Sequence, residues 1–334
     1  MAEVTERDQT RVLEVENLVK DYPLRGYGAK RTLRAVDGVN FACDAGETVG
    51  IVGESGCGKT TLGRLIAGLV PPTSGQVTVS QSGLASPGNR AGRPVQVVYQ
   101  NPADSLDPMR RVGFSVGEAI TGIPGDERRR FVSRALESVE LGPEVAHLRP
   151  HELSGGELQR VCIARALIGG PTVVILDEAV SALDVIVQRT ILKLLVELQV
   201  AAGIAYVFIS HDMAVVTAVS TRIIVMYLGS VMEVVPRERF EDPLLHPYSV
   251  ALKSAQLRAR ADGSRPKAIV LSGDPPSALE RRRGCRFASR CPLADNRCRD
   301  QEPALTPWGG PGQWVACYYP GALKATYEVI GSAM

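Results

Sequence analysis

The chain has 334 residues, a length that suits one α/β domain with an appended segment. Hydrophobic residues make up 45% and charged residues 22%, as in ordinary soluble globular proteins, and the formal net charge of +2 gives no electrostatic argument for binding to nucleic acid or to an anionic membrane. No apolar stretch approaches the roughly 20 residues that span a bilayer, and the polar first ten residues contain no signal-peptide core, which predicts a cytoplasmic protein.

Composition divides the chain into three parts. Residues 1–10 are polar and charged and are predicted to form a flexible tail. Residues 11–256 carry strand-like and helix-like segments, with a helix-rich stretch at about 103–165. From residue 257 to 334 the composition shifts to Arg, Gly, Pro and Ser, which indicates a C-terminal extension. The sequence therefore predicts an α/β fold with a helical insertion and a small extension.

The first chemical motif is a glycine-rich phosphate-binding loop that fits G-x-x-x-x-G-K-[ST]. Residues 49–52 before it are typical of a short buried strand, and residues 61–67 after it predict a helix whose N-terminus favours an anion. Lys59 is placed to reach the β- and γ-phosphates, and Thr60 to ligate Mg²⁺. The predicted nucleotide-binding residues of this segment are Gly53, Glu54, Ser55, Gly56, Cys57, Gly58, Lys59, Thr60 and Thr61.

A second anion site is predicted at the start of a later helix. Ser154 is a good N-cap residue, and Gly155 and Gly156 leave backbone N–H groups uncovered. After Glu157, apolar residues recur at helical spacing. The pattern indicates a loop that presents donors to a phosphate group.

Two apolar runs end in polar residues. Residues 173–178 read Val-Val-Ile-Leu-Asp-Glu, and residues 206–212 end in Ser-His-Asp. Continuous apolar runs fit parallel strands that are buried on both faces. Because ligands of open α/β sheets bind at the carboxyl ends of the strands, Asp177 and Glu178 lie where a ligand is expected.

With these motifs in this order, the chain resembles the ATP-binding cassette (ABC) family from about Leu13 to Gln256. The resemblance also includes Gln100, which follows an apolar strand, and His211. It implies a P-loop NTPase (RecA-like) core with an ABC β-subdomain and a helical subdomain at about residues 103–165. It also implies an ATPase that uses ATP and Mg²⁺.

The resemblance assigns a role to each matching residue. Thr60, Gln100 and Asp177 would hold Mg²⁺, and Gln100 would also report the nucleotide state to a membrane partner. Glu178 would act as the general base on the attacking water, and His211 would contact the γ-phosphate. Tyr22 would stack on adenine, although a plain packing role for this aromatic residue remains an alternative.

The segment from Ser154 to Glu157 matches the family's signature, which acts in trans. In the family two cassettes pack head to tail, and each signature completes the nucleotide site of the other. The resemblance therefore implies that ATP binding closes a dimer of cassettes and that hydrolysis reopens it. A lone subunit is expected to bind ATP and to hydrolyse it slowly.

The extension resembles that of peptide-importer cassettes. Residues 244–248, Leu-Leu-His-Pro-Tyr, followed by residues 271–276, Leu-Ser-Gly-Asp-Pro-Pro, are similar to that group. Such importers have two cassette subunits, and residues 34–39 and 62–64 resemble the second of them, the F type, more than the first. The group imports di- and oligopeptides, with relatives that import nickel or glutathione.

Four cysteines lie in the extension, at Cys285, Cys291, Cys298 and Cys317, with the spacing C-x5-C-x6-C-x18-C. Structural zinc usually uses tighter pairs, and stable disulfides are uncommon in a reducing cytosol. Four thiolates suffice for a [4Fe–4S] cluster, and some members of the resembling group carry one at cysteines arranged like these. We expect such a cluster, with zinc or unliganded thiols as the alternatives.

The function implied is that of an ATP-hydrolysing translocase subunit for di- or oligopeptide import. The expected partners are a second cassette, with a heterodimer favoured over a homodimer, two transmembrane permeases and an extracytoplasmic peptide-binding protein, but no nucleic acid. The expected location is the cytoplasmic face of the cell membrane. The alternatives are a soluble ABC ATPase of the phosphonate-metabolism type and an importer of another solute.

Overall fold

The structure, a computed structural model, describes residues 10–24, 31–80, 93–256, 264–266, 269, 283–323 and 327–329. Its strands are β1 (Arg11–Leu24), β2 (Arg31–Asp44), β3 (Thr48–Val52), β4 (Ser74–Val79), β5 (Val95–Val98), β6 (Val173–Asp177), β7 (Ala205–Ser210), β8 (Arg222–Tyr227), β9 (Ser230–Pro236), β10 (Ser264–Pro266), β11 (Thr306–Pro307), β12 (Trp314–Val315) and β13 (Tyr327–Val329). Its α-helices are α1 (Lys59–Ile66), α2 (Val112–Gly117), α3 (Gly125–Ser138), α4 (Gly155–Leu167), α5 (Val185–Ala202), α6 (Met213–Val219), α7 (Pro247–Gln256) and α8 (Asn296–Asp300). The predicted tail, except Thr10, and residues 271–276 lie outside the described residues.

A central sheet with the strand order β11-β12-β9-β8-β3-β7-β6-β5 organises the described part of the chain. The strands from β8 to β5 run parallel to one another, and β9, β12 and β11 continue the sheet in antiparallel fashion. Every residue of β3, β6 and β7 is buried. This burial on both faces is what continuous apolar runs produce, and it confirms the predicted α/β fold.

The register of the parallel strands brings their carboxyl ends to one edge of the sheet. Val52 at the end of β3 lies beside Ser210 of β7, and Asp177 at the end of β6 lies beside Ile209. The glycine-rich loop, the Asp177–Glu178 pair and His211 follow directly after these positions. Three of the predicted motifs therefore meet at the edge where such sheets bind ligands.

A smaller antiparallel sheet, β2-β1-β4, packs beside this edge. Apolar residues of β1 such as Leu13 and Leu18 are fully buried in one cluster with Leu62 and Ile66 of α1. The shared core fixes the position of β1, whose later residues include Tyr22, relative to the helix that follows the glycine-rich loop.

Helices α2, α3 and α4 form the helix-rich region predicted between residues 103 and 165. Val116 of α2, Leu136 of α3 and Val161 of α4 are fully buried in the larger core cluster. Within the described ranges, every helix is too short or too polar to cross a bilayer.

The described part of the extension packs onto the core. Val315 of β12 pairs with Glu233 of β9, so the extension lengthens the central sheet. Phe287 is fully buried and lies 5.4 Å from the ring of Tyr227 and 5.4 Å from that of Tyr248, both measured between centroids. The core and the extension therefore share one aromatic cluster.

His246 in this region predicts an acid sensitivity of the fold. The ring is buried, its Nδ1 accepts the N–H of Tyr248 at 3.0 Å, and burial lowers its pKa to about 3. The unfolded chain binds this proton near pH 6.5 and the folded chain does not, so stability falls as the pH drops from about 6.5 toward 3. From this residue alone the free energy of unfolding should fall by about 2 kcal/mol between pH 6.5 and pH 5.

The contribution of His246 can be isolated by comparison with His246→Asn, whose side-chain oxygen can still accept the Tyr248 N–H. Denaturant unfolding at pH 7 and pH 5 should show a steeper loss for the wild type than for the variant. Buried Glu233, which accepts the N–H of His246, has a raised pKa and acts in the opposite direction, but it is present in both proteins. Equal slopes for the two proteins would contradict this role of His246.

Candidate nucleotide site

The glycine-rich loop connects the end of β3 to the start of α1. Gly56 and Gly58 have φ values of 78° and 106°, in the left-handed region that favours glycine. A Cβ at Gly58 would lie 2.1 Å from the carbonyl oxygen of Ala35, so no side chain fits there. Lys59 is buried, and its Nζ donates to the carbonyl oxygens of Gly53 at 2.8 Å and Glu54 at 3.0 Å. The loop is thereby closed around the lysine ammonium.

A cavity of about 220 Å³ opens between this loop and the smaller sheet. Of the residues predicted from the sequence, the cavity is lined by Tyr22, Ser55, Gly56, Gly58, Lys59, Thr60, Thr61 and Glu178. Arg34, Leu228 and Gly229 also line it and were not predicted. A cationic loop, an aromatic ring and a carboxylate thus face one space, an arrangement that suits a nucleotide with its phosphates on the loop.

Thr60 and Asp177 form the part of the site that suits a hard cation. The Thr60 hydroxyl donates to Asp177 Oδ1 at 3.2 Å. Burial raises the pKa of Asp177, and the Thr60 hydrogen bond counters part of that rise. Oxygen ligands of this kind are those that Mg²⁺ prefers. Gln100, the third predicted ligand, is exposed just after β5, and no hydrogen bond between described residues joins it to this pair.

Glu178 has an uncommon backbone conformation. Its φ is 51°, which is costly for a residue with a side chain, and its N–H donates to the carbonyl oxygen of Ile209 at 2.9 Å. Glu178 Oε2 lies 3.2 Å from Nδ1 of His211, whose side chain is about half exposed. The bond to β7 thus holds Glu178 at the cavity, and His211, which follows β7, lies beside the Glu178 carboxylate.

The Ser154 motif begins α4 through a capping box. The Ser154 hydroxyl accepts the N–H of Glu157 at 3.4 Å, and the Glu157 carboxylate accepts the Ser154 N–H at 2.8 Å. A Cβ at Gly156 would lie 2.8 Å from Val187, which shows how tightly this helix start packs on α5. None of the four motif residues lines the cavity at Lys59.

Two contacts to Glu54 were not predicted. Its N–H donates to the Tyr248 hydroxyl at 2.8 Å, and its carboxylate accepts from Arg290 at 2.8 Å. Tyr248 was singled out only for its likeness to an extension motif, and no local pattern marks Arg290. These contacts join segments far apart in the sequence, so only the fold reveals them.

The four cysteines of the extension lie close enough for their thiols to interact electrostatically. The pKa of Cys285 is raised to about 12 and that of Cys317 to about 11, mainly by burial and to a smaller extent by the neighbouring thiols. The sulfur of Cys317 accepts the N–H of Tyr319 at 3.3 Å, and Cys285 and Cys291 accept the N–H two residues later in the same way. Within the described segments, no three or more His, Cys, Asp or Glu side chains are grouped as a single metal ion requires.

Comparison with known proteins decides the family. The family model of the ABC transporter matches residues 36–181, and that of the oligopeptide/dipeptide transporter C-terminal region matches residues 232–298. Over 319 residues the chain is 39% identical to the dipeptide transport ATP-binding protein DppF of Escherichia coli, covering 93% of this chain and 95% of the relative. The chain belongs to the ABC transporter family. The cassette is also 39% identical over 327 residues to the oligopeptide transport ATP-binding protein AppF of Bacillus subtilis, covering 94% and 99% of the two chains.

Solved structures agree with this assignment. A dimeric ATP-binding cassette in a post-hydrolysis state, bound to ADP and Pi, matches with a TM-score of 0.57 and 29% identity over 67% of this chain and 98% of that chain. A part of the CbiONQ ABC transporter complex from Clostridium perfringens matches with a TM-score of 0.58 and 30% identity over 70% and 92% of the two chains. The predicted P-loop NTPase fold of the cassette is confirmed.

Proposed function

We propose that this cassette hydrolyses ATP to power the import of di- or oligopeptides through a membrane permease complex. The observation that carries the proposal is the match of almost the whole chain, including the region after the ATPase core, to peptide-transport ATP-binding proteins. In this reading residues 11–256 are the nucleotide-binding domain, residues 103–165 its helical subdomain, and residues 257–334 the importer-type extension.

The residues of the cavity would bind the nucleotide in a defined orientation. Tyr22 would stack on the adenine ring, and the N–H groups from Gly53 to Thr61 would surround the phosphates. When ATP enters, Lys59 Nζ would exchange its carbonyl contacts for phosphate oxygens. Thr60, Asp177 and Gln100 would hold Mg²⁺, which neutralises charge on the β- and γ-phosphates when bound.

Glu178 would orient and deprotonate the attacking water, and His211 would contact the γ-phosphate. The geometry that supports these roles is the placement of the Glu178 carboxylate at the cavity with His211 Nδ1 at 3.2 Å. Gln100 makes no hydrogen bond to Thr60 or Asp177 among the described residues, so its part in holding the metal rests on the family resemblance alone.

Hydrolysis would need a second cassette. Ser154, Gly155 and Gly156 do not line the Lys59 cavity, and in the proposed assembly they would contact the γ-phosphate of ATP held by a partner. A heterodimer with a paralogous cassette is favoured. Two transmembrane permeases and an extracytoplasmic peptide-binding protein would complete the importer, with this chain at the cytoplasmic face of the membrane.

The cysteines would hold a [4Fe–4S] cluster with a structural role. The chemistry of the donor set supports this: the four thiols lie close enough to interact, and three of them accept backbone N–H groups, which favour the thiolate form. A four-iron cluster holds its thiolates further apart than a single ion does, and among the described residues no three such side chains are grouped as a single ion requires. Protein purified without oxygen should be brown and contain about four iron atoms per chain.

The variant Cys298→Ser should lower the iron content sharply, while Cys162→Ser, a buried thiol outside the extension, should not change it. A folded, colourless wild-type protein without iron would contradict the cluster. Stoichiometric zinc in place of iron would support the zinc alternative.

Co-purification tests the proposed function. The tagged cassette, extracted from membranes in mild detergent, should carry two permeases and a second cassette, and deletion of its gene should abolish growth on peptides as the sole source of a required amino acid. Recovery with a soluble enzyme assembly or with ribosomes, together with normal peptide uptake in the deletion strain, would contradict the proposal.

A further inference from the structure

Arg290 of the extension reaches the phosphate-binding loop. Its Nη1 donates to Glu54 Oε2 at 2.8 Å and to the Tyr227 hydroxyl at 3.3 Å. The Arg290 side chain is only 8% exposed, so the ion pair is largely shielded from solvent. A shielded, charge-assisted hydrogen bond contributes more than a surface ion pair.

Glu54 is fixed at three points, and Arg290 supplies one of them. The Glu54 N–H donates to the Tyr248 hydroxyl, and its carbonyl oxygen accepts from Lys59 Nζ. Arg290 holds the carboxylate. The second residue of the loop is therefore hydrogen-bonded to α7, to the phosphate-binding lysine and to the extension.

The charge of Glu54 also requires a partner near this site. Glu54 does not itself line the cavity, but it directly precedes Ser55, which does, and like charges at short range repel. Arg290 neutralises this carboxylate and draws it toward the extension. Without that partner, Glu54 would oppose the incoming phosphates.

The local structure presents Arg290 in a rigid way. The Arg290 N–H donates to the carbonyl oxygen of Phe287 at 3.0 Å, and Phe287 is fully buried against Tyr227 and Tyr248. Cys285 and Cys291 bracket this turn. The position of the guanidinium is thus set by a packed turn and not by a flexible surface loop.

We propose that Arg290 is a positioning residue of the ATP site, which acts by holding and neutralising Glu54 so that the loop can accept the β- and γ-phosphates. The proposal rests on the proposed binding of ATP at Lys59. It makes the extension part of the nucleotide site as well as an appendage of the importer.

The test measures the dissociation constant of Mg-ATP by calorimetry, with the full chain purified without oxygen. Arg290→Gln should weaken binding about tenfold, the scale of one charge-assisted hydrogen bond. In a Glu54→Gln background the same substitution should change binding less than about twofold, because the carboxylate that it serves is gone. Arg290→Lys, which keeps the charge, should restore most of the affinity.

Arg222→Gln is the matched control. Arg222 Nε lies 2.7 Å from Glu47 Oε1. Glu47 directly precedes β3, so this ion pair is at the end of β3 that is remote from the phosphate-binding loop. Its loss should lower the melting temperature and leave ATP binding unchanged. If Arg290→Gln does not fold, Arg290→Met, which keeps the buried alkyl length, replaces it.

Two results would overturn the positioning role: unchanged ATP binding in Arg290→Gln, or equal weakening with and without the Glu54 carboxylate. Lys59→Ala separates this outcome from failure of the proposed function. If Lys59→Ala binds ATP as the wild type does, the ATP site itself is wrong. If Lys59→Ala loses binding while Arg290→Gln does not, only the role of Arg290 is wrong.

Discussion

Glu178→Gln is expected to stop ATP turnover while leaving ATP binding intact. The amide has nearly the same shape as the carboxylate, so the backbone at φ 51° and the contact with His211 can persist. It cannot take a proton from water. Since a positioned general base contributes about 10²- to 10⁴-fold, hydrolysis by the assembled transporter should fall by a factor in that range.

Phosphate release and equilibrium ATP binding measured on the same preparation distinguish the two effects. The variant should also accumulate a closed cassette pair with ATP, visible as a larger species by size-exclusion chromatography. Glu197→Gln, an exposed carboxylate on α5 that pairs with Lys193, is the control and should hydrolyse ATP normally. Turnover by Glu178→Gln at the wild-type rate would remove Glu178 from the role of base.

Ser154→Asp is expected to abolish hydrolysis without affecting ATP binding by the same chain. Aspartate is as good an N-cap as serine, but it loses the bond that the Ser154 hydroxyl donates to Glu157 Oε2 at 2.7 Å and adds a like charge there, so circular dichroism of the variant must show that its helix content is unchanged. Its negative charge would face the γ-phosphate held by the partner cassette, and like charges within about 4 Å repel by several kcal/mol in a partly buried site. The assembled transporter should lose at least about 100-fold in ATPase rate.

Ser154→Asn is the matched variant, because it keeps the cap and the size but adds no charge. It should retain far more activity than Ser154→Asp. Mg-ATP should bind the isolated Ser154→Asp chain with wild-type affinity. If the isolated chain instead loses ATP binding, the Ser154 motif serves its own Lys59 site and the head-to-tail arrangement is wrong.

The motifs that depend on local pattern were predictable from the sequence. Residues 49–52, 173–178 and 206–212 are apolar along their whole length because both faces are covered, and β3, β6 and β7 lie there. The phosphate-binding loop could be predicted because its glycines have conformations that other residues rarely adopt. The meeting of these motifs at one sheet edge follows from parallel pairing.

Helix limits were predicted less well, because capping and tertiary contacts set them. Helix α1 begins at Lys59 and not at residue 61, since the Leu62 N–H already donates to the carbonyl oxygen of Gly58. Helix α2 begins at Val112, whose N–H donates to the carbonyl oxygen of Leu148 far along the chain, and the sequence predicts a helix-rich stretch in this region without that limit. Neither hydrogen bond can be inferred from the spacing of apolar residues.

Long-range polar contacts could not be predicted at all. Glu54 and Arg290 are 236 positions apart, and neither belongs to a local pattern that indicates the other. Glu178, whose φ is positive, likewise donates its N–H to the carbonyl oxygen of Ile209 on the neighbouring strand, which no local pattern indicates. The residues that carry the chemistry of the site can be read from the sequence. The residues that hold the phosphate-binding loop in place are seen only in the folded structure, where the extension packs against it.

Peptide uptake by the reconstituted complex tests the central claim most directly. Proteoliposomes that contain the permeases, the second cassette and this chain, with the binding protein and a labelled dipeptide outside and the cassettes on the inside, should accumulate the peptide only when the lumen holds Mg-ATP. Uptake should disappear when this chain carries Glu178→Gln. Full uptake with that variant, or an assembled complex that hydrolyses ATP but moves no peptide, would contradict the account.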